Sequence, residues 1–146
     1  MSDPFDLERF VSAQDTVWPD VTAELSAGAK RTHWMWFVFP QIAGLGHSPT
    51  AVHYALPSLN AAKAYLKHPV LGGRLEEATG LVLGHAHKSA GEIFGSIDAV
   101  KFRSSMTLFD AAGGGPLFAD ALEAFYGGVR DSATLEILSA SETASP

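Results

Sequence analysis

The chain of 146 residues contains no cysteine. It therefore has no disulfide framework, no thiolate nucleophile and no thiolate ligand for a metal. No apolar run approaches the roughly 20 residues that a helix needs to cross a bilayer. The first residues carry acids where a signal peptide would carry cations. These absences predict a cytoplasmic protein with no membrane partner.

Charge is also scarce, at 18% of residues, and the net charge is −6. An acidic chain argues against binding a nucleic-acid polymer, which requires neutralisation of many phosphates. The charge is uneven, however. Residues 30–103 hold eight cations and four acids, whereas the segments before and after them each hold one cation and six acids. A basic centre can hold a small anion, or it can pair with the acidic ends.

Alternating polar and apolar segments, the pattern of half-buried strands, are nearly absent. Helical spacing, proline starts and glycine stops instead predict one compact all-α domain of about eight helices. We place this domain at residues 4–139 and a frayed polar tail at residues 140–146. A capping box at Ser89 and Glu92 and a cap at Ser96 mark two helix starts.

Two further features bear on packing and on metals. Gly72 and Gly73 lie early in a predicted helix, where glycine lowers stability, so they indicate close packing or close approach of a ligand. The six histidines are scattered and form no ligand motif, and we predict neither a metal site nor a cofactor.

Residues 30–41 form an unusual run, KRTHWMWFVFPQ, in which residues 34–39 hold two of the three tryptophans. The apolar part is too short for periodicity to distinguish a helical turn from a strand-like segment. Cations, an imidazole, indoles and an amide together are typical of a nucleotide site, in which cations hold phosphate and an indole stacks on a ring. The candidate binding residues here are Lys30, Arg31, Trp34, Trp36 and Gln41, with His33 as an acid–base candidate. Alternatively, both tryptophans belong to the core and the cations are solvated.

A glycine-containing loop follows, and Ser48 begins the next helix. The free amide groups of such a helix start can bind an anion, although a glycine-rich connector is usually only a connector. Ser48 is therefore a further candidate ligand-binding residue.

Residues 98–109 are the second notable segment. On a helix, Lys101, Ser104 and Ser105 share one face, and Asp98 lies one turn before the lysine. The lysine and the two hydroxyls, with Arg103 nearby, could clamp an anion. Lys101 could also deprotonate Ser105, as a serine–lysine hydrolase requires. Alternatively, the small serines permit close helix packing while Lys101 pairs with Asp98.

Four motifs occur in order along the chain: HWMWFVFPQ at residues 33–41, GLGxS at residues 44–48, HPVLGxRL at residues 68–75 and FGSxDxxKFRSSMTLF at residues 94–109. With them the chain resembles the bacterial domain-of-unknown-function family 1810, sometimes labelled "calpastatin". The resemblance covers about residues 4–139 and implies a compact helical domain without an established activity. Nothing in these residues supports a protease-inhibitor role.

The chain is more faintly similar to the YbiA-like NADAR proteins, which are linked to ADP-ribose derivatives and to cleavage of N-glycosidic bonds. This similarity implies a catalytic glutamate, for which Glu24 is a candidate. Independently of the similarity, Asp98 or Glu24 could act with His33 in acid–base chemistry. In N-glycosidic cleavage a carboxylate would stabilise positive charge on the sugar, by analogy with glycoside hydrolysis.

Our hypothesis is therefore a pocket for a small anion such as a nucleotide or an ADP-ribose-like compound, with N-glycosidic hydrolysis as its candidate reaction. Arg31, Lys101 and Arg103 would hold its phosphate. The alternative is a non-enzymatic interaction module in which the tryptophan-rich run is core and the acidic termini meet a partner.

Overall fold

The computed structural model describes residues 3–144, and the side chains of residues 3–140. This part of the chain forms ten helices, which confirms the all-α class. No extended segments pair within it beyond an isolated parallel bridge between Ile42 and Leu56. The helices are α1 (Glu8–Asp15), α2 (Trp18–Ser26), α3 (Met35–Val38), α4 (Pro49–Tyr54), α5 (Leu59–Lys67), α6 (Leu71–Leu83), α7 (Ala90–Phe94), α8 (Ser96–Ala111), α9 (Pro116–Tyr126) and α10 (Ser132–Ala144).

Most helix starts follow the predicted local chemistry. Ser89 and Glu92 form the predicted capping box of α7, with each side chain bonded to the other residue's backbone N–H. One start differs from the prediction. Ser96 is the first residue of α8 and does not cap it, because Gly95 occupies the N-cap with a φ of +83°. A glycine adopts this left-handed backbone at low cost, but it brings no side chain to bond the first amides of the helix.

The aromatic run forms a single helical turn, α3, which accounts for one helix beyond the predicted number. At the other end of the chain, α10 continues to Ala144 and overlaps the tail predicted for residues 140–146. Residues 145 and 146 lie outside the described part of the chain, and fraying of the tail stays a prediction.

Helix α8 is the centre of the fold. Helices α5, α7, α9 and α10 all pack against it, and every residue from Ser104 to Phe109 is buried. A helix that is enclosed on all sides in this way cannot show a one-sided apolar stripe. The two ends of α8 reach the surface: Ile97 and Val100 are exposed in its first turns, and Ala111 is exposed at its last residue.

Aromatic packing joins the aromatic run to α8. The Phe39 ring meets Phe94 edge-on, with ring centroids 6.0 Å apart, and Phe102 edge-on at 5.0 Å. Phe94 stacks on Phe102 at 4.8 Å. Because all three rings are buried, the C-terminal end of α3 is held beside the N-terminal end of α8. None of the helices within residues 3–144 has the length and apolarity needed to span a membrane.

The two neighbouring glycines of α6 give a matched test of the packing. A Cβ at Gly72 would overlap the backbone carbonyl oxygen of Leu66 in α5, whereas a Cβ at Gly73 would meet nothing within 4 Å. We expect Gly72→Ala to destabilise the protein by about 1–3 kcal/mol, since a backbone carbonyl must move. Gly73→Ala should be neutral or stabilising by up to about 1 kcal/mol. Urea unfolding measures both values, and equal effects would contradict the close α5–α6 contact.

Candidate functional site

The Glu24 carboxylate fixes the loop that leads into α3. Its Oε1 accepts hydrogen bonds from the backbone N–H groups of Arg31 at 2.6 Å and Thr32 at 2.9 Å, and from Trp34 Nε1 at 3.1 Å. Its Oε2 accepts one from Thr32 Oγ1 at 2.7 Å. Burial of the carboxylate acts to raise its pKa, but these hydrogen bonds outweigh burial and hold the pKa below its ordinary value. The carboxylate is thus fully engaged in positioning the loop.

The two tryptophans of the run occupy different environments. Trp34 is 1% exposed and belongs to the core, as the structural alternative predicted. Trp36 is only partly buried, and the Lys101 ammonium lies 4.7 Å from its ring centroid. The Lys30 ammonium lies 5.0 Å from the Trp34 ring. One indole therefore anchors the run, and the other presents a face to a cavity.

Asp98 lies between two lysines. Its Oδ2 is 2.9 Å from Lys30 Nζ, and its Oδ1 is 3.3 Å from Lys101 Nζ. The Lys30 side chain is only 7% exposed, and its ammonium also donates to the Thr32 carbonyl at 2.6 Å. Burying an ammonium costs free energy unless it is paired, and the ion pair with Asp98 offsets this cost for Lys30. The group of three keeps one positive charge in excess.

The first turn of α8 adds backbone donors beside these lysines. No side chain caps the helix, and the backbone N–H groups of Ser96, Ile97 and Asp98 have no acceptor among residues 3–144. Free amides at the start of a 16-residue helix carry partial positive charge and favour an anion nearby.

These groups line one open cavity of about 370 Å³, which we name the cationic pocket. Its polar and aromatic lining consists of the first turn of α8 together with Lys30, His33, Trp36, Phe94, Asp98 and Lys101. His33 is exposed, and no hydrogen bond or ion pair of its side chain is present in the described structure. The pocket thus brings together five of the predicted site residues from two distant segments of the chain.

A second cavity of about 500 Å³ lies beside the cationic pocket, and we name it the apolar groove. The two cavities share Ser96, Ile97 and Lys101. The predicted residues Gln41 and Ser104 line the apolar groove, and Ser104 donates its hydroxyl to the Val100 carbonyl at 3.2 Å.

Other predicted residues lie away from both cavities. Arg31 is exposed, and neither cavity includes it. Arg103 donates from Nε to the Val129 carbonyl at 3.1 Å, and its guanidinium lies over the Tyr126 ring. Ser48 caps α4 by accepting a hydrogen bond from a backbone N–H. Trp34 and Glu24 are hydrogen-bonded to each other and hold the loop before α3 in place.

Ser105 is fully buried, and its hydroxyl has no hydrogen-bond partner. It therefore receives no hydrogen bond from Lys101, whose ammonium instead pairs with Asp98. This arrangement supports the packing alternative for the serines and offers no activated nucleophile. Within residues 3–144, no three histidine or acidic side chains are grouped as a metal would require.

Sequence reasoning missed the first turn of α8 and the residues Ile97, Val100 and Asp131. A signal for two of them was present, because Ile97, Val100 and Ser104 recur at helical spacing beside Lys101. Asp131 had no such signal, since it reaches the groove only through the packing of α10 on α8.

A family model described as "Protein of unknown function (DUF1810)" matches residues 4–138. The crystal structure of the conserved hypothetical protein Rv1873 from Mycobacterium tuberculosis is similar over 94% of this chain and 99% of that chain. The two sequences are 53% identical, and the TM-score is 0.92. No curated protein matches the chain. Neither of these two matches is to a NADAR protein or carries the label calpastatin.

The role of Glu24 can be tested through pH. Because its pKa is lowered in the folded protein, its stabilising contribution is present above the pKa of the unfolded state and is lost as the pH falls through the folded-state pKa. We expect Glu24→Gln to lower the free energy of unfolding by about 1–3 kcal/mol at pH 7. The difference from the original protein should shrink as the pH falls below about 4.3. Glu76→Gln, at an exposed position of α6, is the control and should change neither value. A pH-independent loss in Glu24→Gln would contradict this role.

Proposed function

The chain belongs to the DUF1810 family of proteins of unknown function, and we propose that its cationic pocket binds the phosphate end of a small nucleotide-like anion. Lys101 and the first turn of α8 contact the phosphate, and Trp36 packs against the sugar ring of the ligand. The buried Lys30 adds positive charge to the pocket and pairs with Asp98. The proposal leaves out Arg31, Arg103 and Ser48, since they line neither cavity.

The observation that carries the proposal is the excess of positive charge around Asp98. Two lysines share one carboxylate, and three backbone N–H groups beside them have no acceptor within residues 3–144. A pair of opposite charges alone would need no further partner. Here an incoming phosphate would complete both the charge balance and the hydrogen bonds of the helix start.

Trp36 supports the choice of a ring-bearing ligand. Its indole is partly buried beneath Lys101, so the ring is held in place while part of it still faces the pocket. A preorganised aromatic face packs against a sugar ring without a large loss of side-chain entropy. A simple inorganic anion would make no use of it.

We expect the binding of phosphate-bearing ligands to depend on Lys101. A phosphate-bearing probe such as ADP-ribose or AMP at 100 times its Kd should stabilise the protein by about 2.7 kcal/mol. This corresponds to a rise in melting temperature of about 5 °C or more for a domain of this size. Lys101→Gln should weaken binding about tenfold or more, because a charged contact is lost while Lys30 still pairs with Asp98.

Lys63→Gln, at an exposed position of α5, is the matched control for the loss of one positive charge and should bind normally. If no phosphate-bearing compound stabilises the protein, or if both variants lose affinity equally, the proposed pocket is wrong.

The proposal extends to N-glycosidic hydrolysis through His33 and Asp98, which line the same pocket. Water would add to the anomeric carbon as the carbon–nitrogen bond breaks. His33 would take the proton from water and give it to the leaving nitrogen. The Asp98 carboxylate would face the positive charge that develops on the sugar. Glu24 has no part in this scheme, since its four hydrogen bonds hold the loop.

Hydrolysis predicts that AMP yields adenine and ribose 5-phosphate, which chromatography separates. His33→Gln should reduce this release at least about 100-fold, the range of general acid–base catalysis, and leave the affinity for AMP unchanged. His47→Gln, at an exposed position that lines neither cavity, is the control. If adenine is released equally by His33→Gln, then His33 is not the proton-transfer group; if no adenine is released by the original protein, AMP is not a substrate.

One observation favours the alternative of a non-enzymatic interaction module. Trp34 is core, and Ile97 and Val100 are 73% and 61% exposed. An aliphatic pair of this kind can contact a partner protein. Under that alternative, phosphate-bearing compounds would leave the melting temperature unchanged.

A further inference from the structure

We infer that the apolar groove holds the nucleobase of the same ligand, and that this base carries an amino group. The inference rests on the proposed function, because it takes the phosphate to lie in the cationic pocket. The two cavities are neighbours that share Ser96, Ile97 and Lys101 in their linings, so a ligand bound in one lies beside the other.

The walls of the groove suit a planar ring. Leu45, Ala51, Ile97 and Val100 line it, and its volume of about 500 Å³ is in the range of small-molecule sites. Ile97 and Val100 are largely exposed where they border it. A ring placed against them would remove apolar surface from water, which is favourable in proportion to the area covered.

The polar groups of the groove distinguish a base from an alkyl chain. Asp131 lines the groove, and its Oδ2 accepts two hydrogen bonds from Thr134 while its Oδ1 has no partner within the described residues. The Gln41 side-chain amide likewise has no partner there. Covering these groups with a hydrocarbon would cost free energy, because they would lose water without gaining hydrogen bonds.

Charge also sets the orientation of the ligand. The cationic pocket carries excess positive charge at one end, and Asp131 places a carboxylate at the other. A second phosphate beside Asp131 would be repelled. A neutral ring with an amino donor fits that end, since the amino group can donate to Asp131 Oδ1 while Gln41 bonds a ring nitrogen.

Titration calorimetry tests whether the phosphate lies in the cationic pocket and the base in the apolar groove. The three probes are ribose 5-phosphate, AMP and the purine ribonucleotide that lacks the amino group. We expect AMP to bind at least about tenfold more tightly than ribose 5-phosphate, because the aliphatic walls of the groove remove the apolar face of the base from water. The purine ribonucleotide without the amino group should fall between them. Equal affinity for AMP and ribose 5-phosphate would overturn the inference and leave the phosphate site intact.

Val100→Asn removes an apolar wall of the groove without adding charge. This substitution should lower the affinity for AMP to that for ribose 5-phosphate, while the affinity for ribose 5-phosphate stays unchanged. Val52→Asn is the matched control, because Val52 is 62% exposed and does not line the groove, whereas Val100 is 61% exposed and does. If the advantage of AMP persists in Val100→Asn, the base lies elsewhere. If none of the three probes binds, the proposed function fails and this inference fails with it.

Discussion

The packing of Phe39 against the stacked rings of Phe94 and Phe102 is the contact on which the candidate site depends. The Phe94 and Phe102 centroids lie 6.0 and 5.0 Å from that of Phe39, and the rings join a segment before residue 40 to the start of α8. Each such pair contributes about 0.5–1.5 kcal/mol beyond the area that it buries. Together with the hydrogen bond from the Lys30 backbone N–H to the Ile93 carbonyl at 2.7 Å, this contact places Lys30 and His33 beside Asp98 and Lys101. The chemistry at the surface is thus positioned by an interaction in the core.

The environment of Asp98 follows from that packing. Once the two segments meet, Lys30 loses most of its contact with water and requires a partner, which Asp98 supplies at 2.9 Å. Lys101 shares the same carboxylate from one turn along the helix. Replacing the carboxylate would leave Lys30 buried without compensation, so a variant of Asp98 would affect stability as well as any ligand. Lys101 is the better probe of binding for this reason.

Local signals in the sequence predicted most of the helices, because caps, prolines and glycines act over a few residues. Ser89 with Glu92 and Pro116 start helices where expected. The start of α8 was predicted less well, since Ser96 looks like a cap but Gly95 takes that position through a backbone geometry that sequence does not reveal. Composition also grouped Arg31 with Lys30, although the hydrogen bonds of Glu24 turn the loop so that only Lys30 faces the pocket.

The two tryptophans show why residue type alone could not separate a ligand site from a core. Trp34 and Trp36 are two residues apart, and a helical turn places such neighbours on different faces. One indole is therefore buried at 1% exposure, while the other remains partly open beneath Lys101. The interpretation of the run as core therefore describes Trp34, and its interpretation as a ligand site describes Trp36. A run that served only the core would not need its second indole at a cationic surface, and the free amides of α8 at that surface are what a bound anion would satisfy.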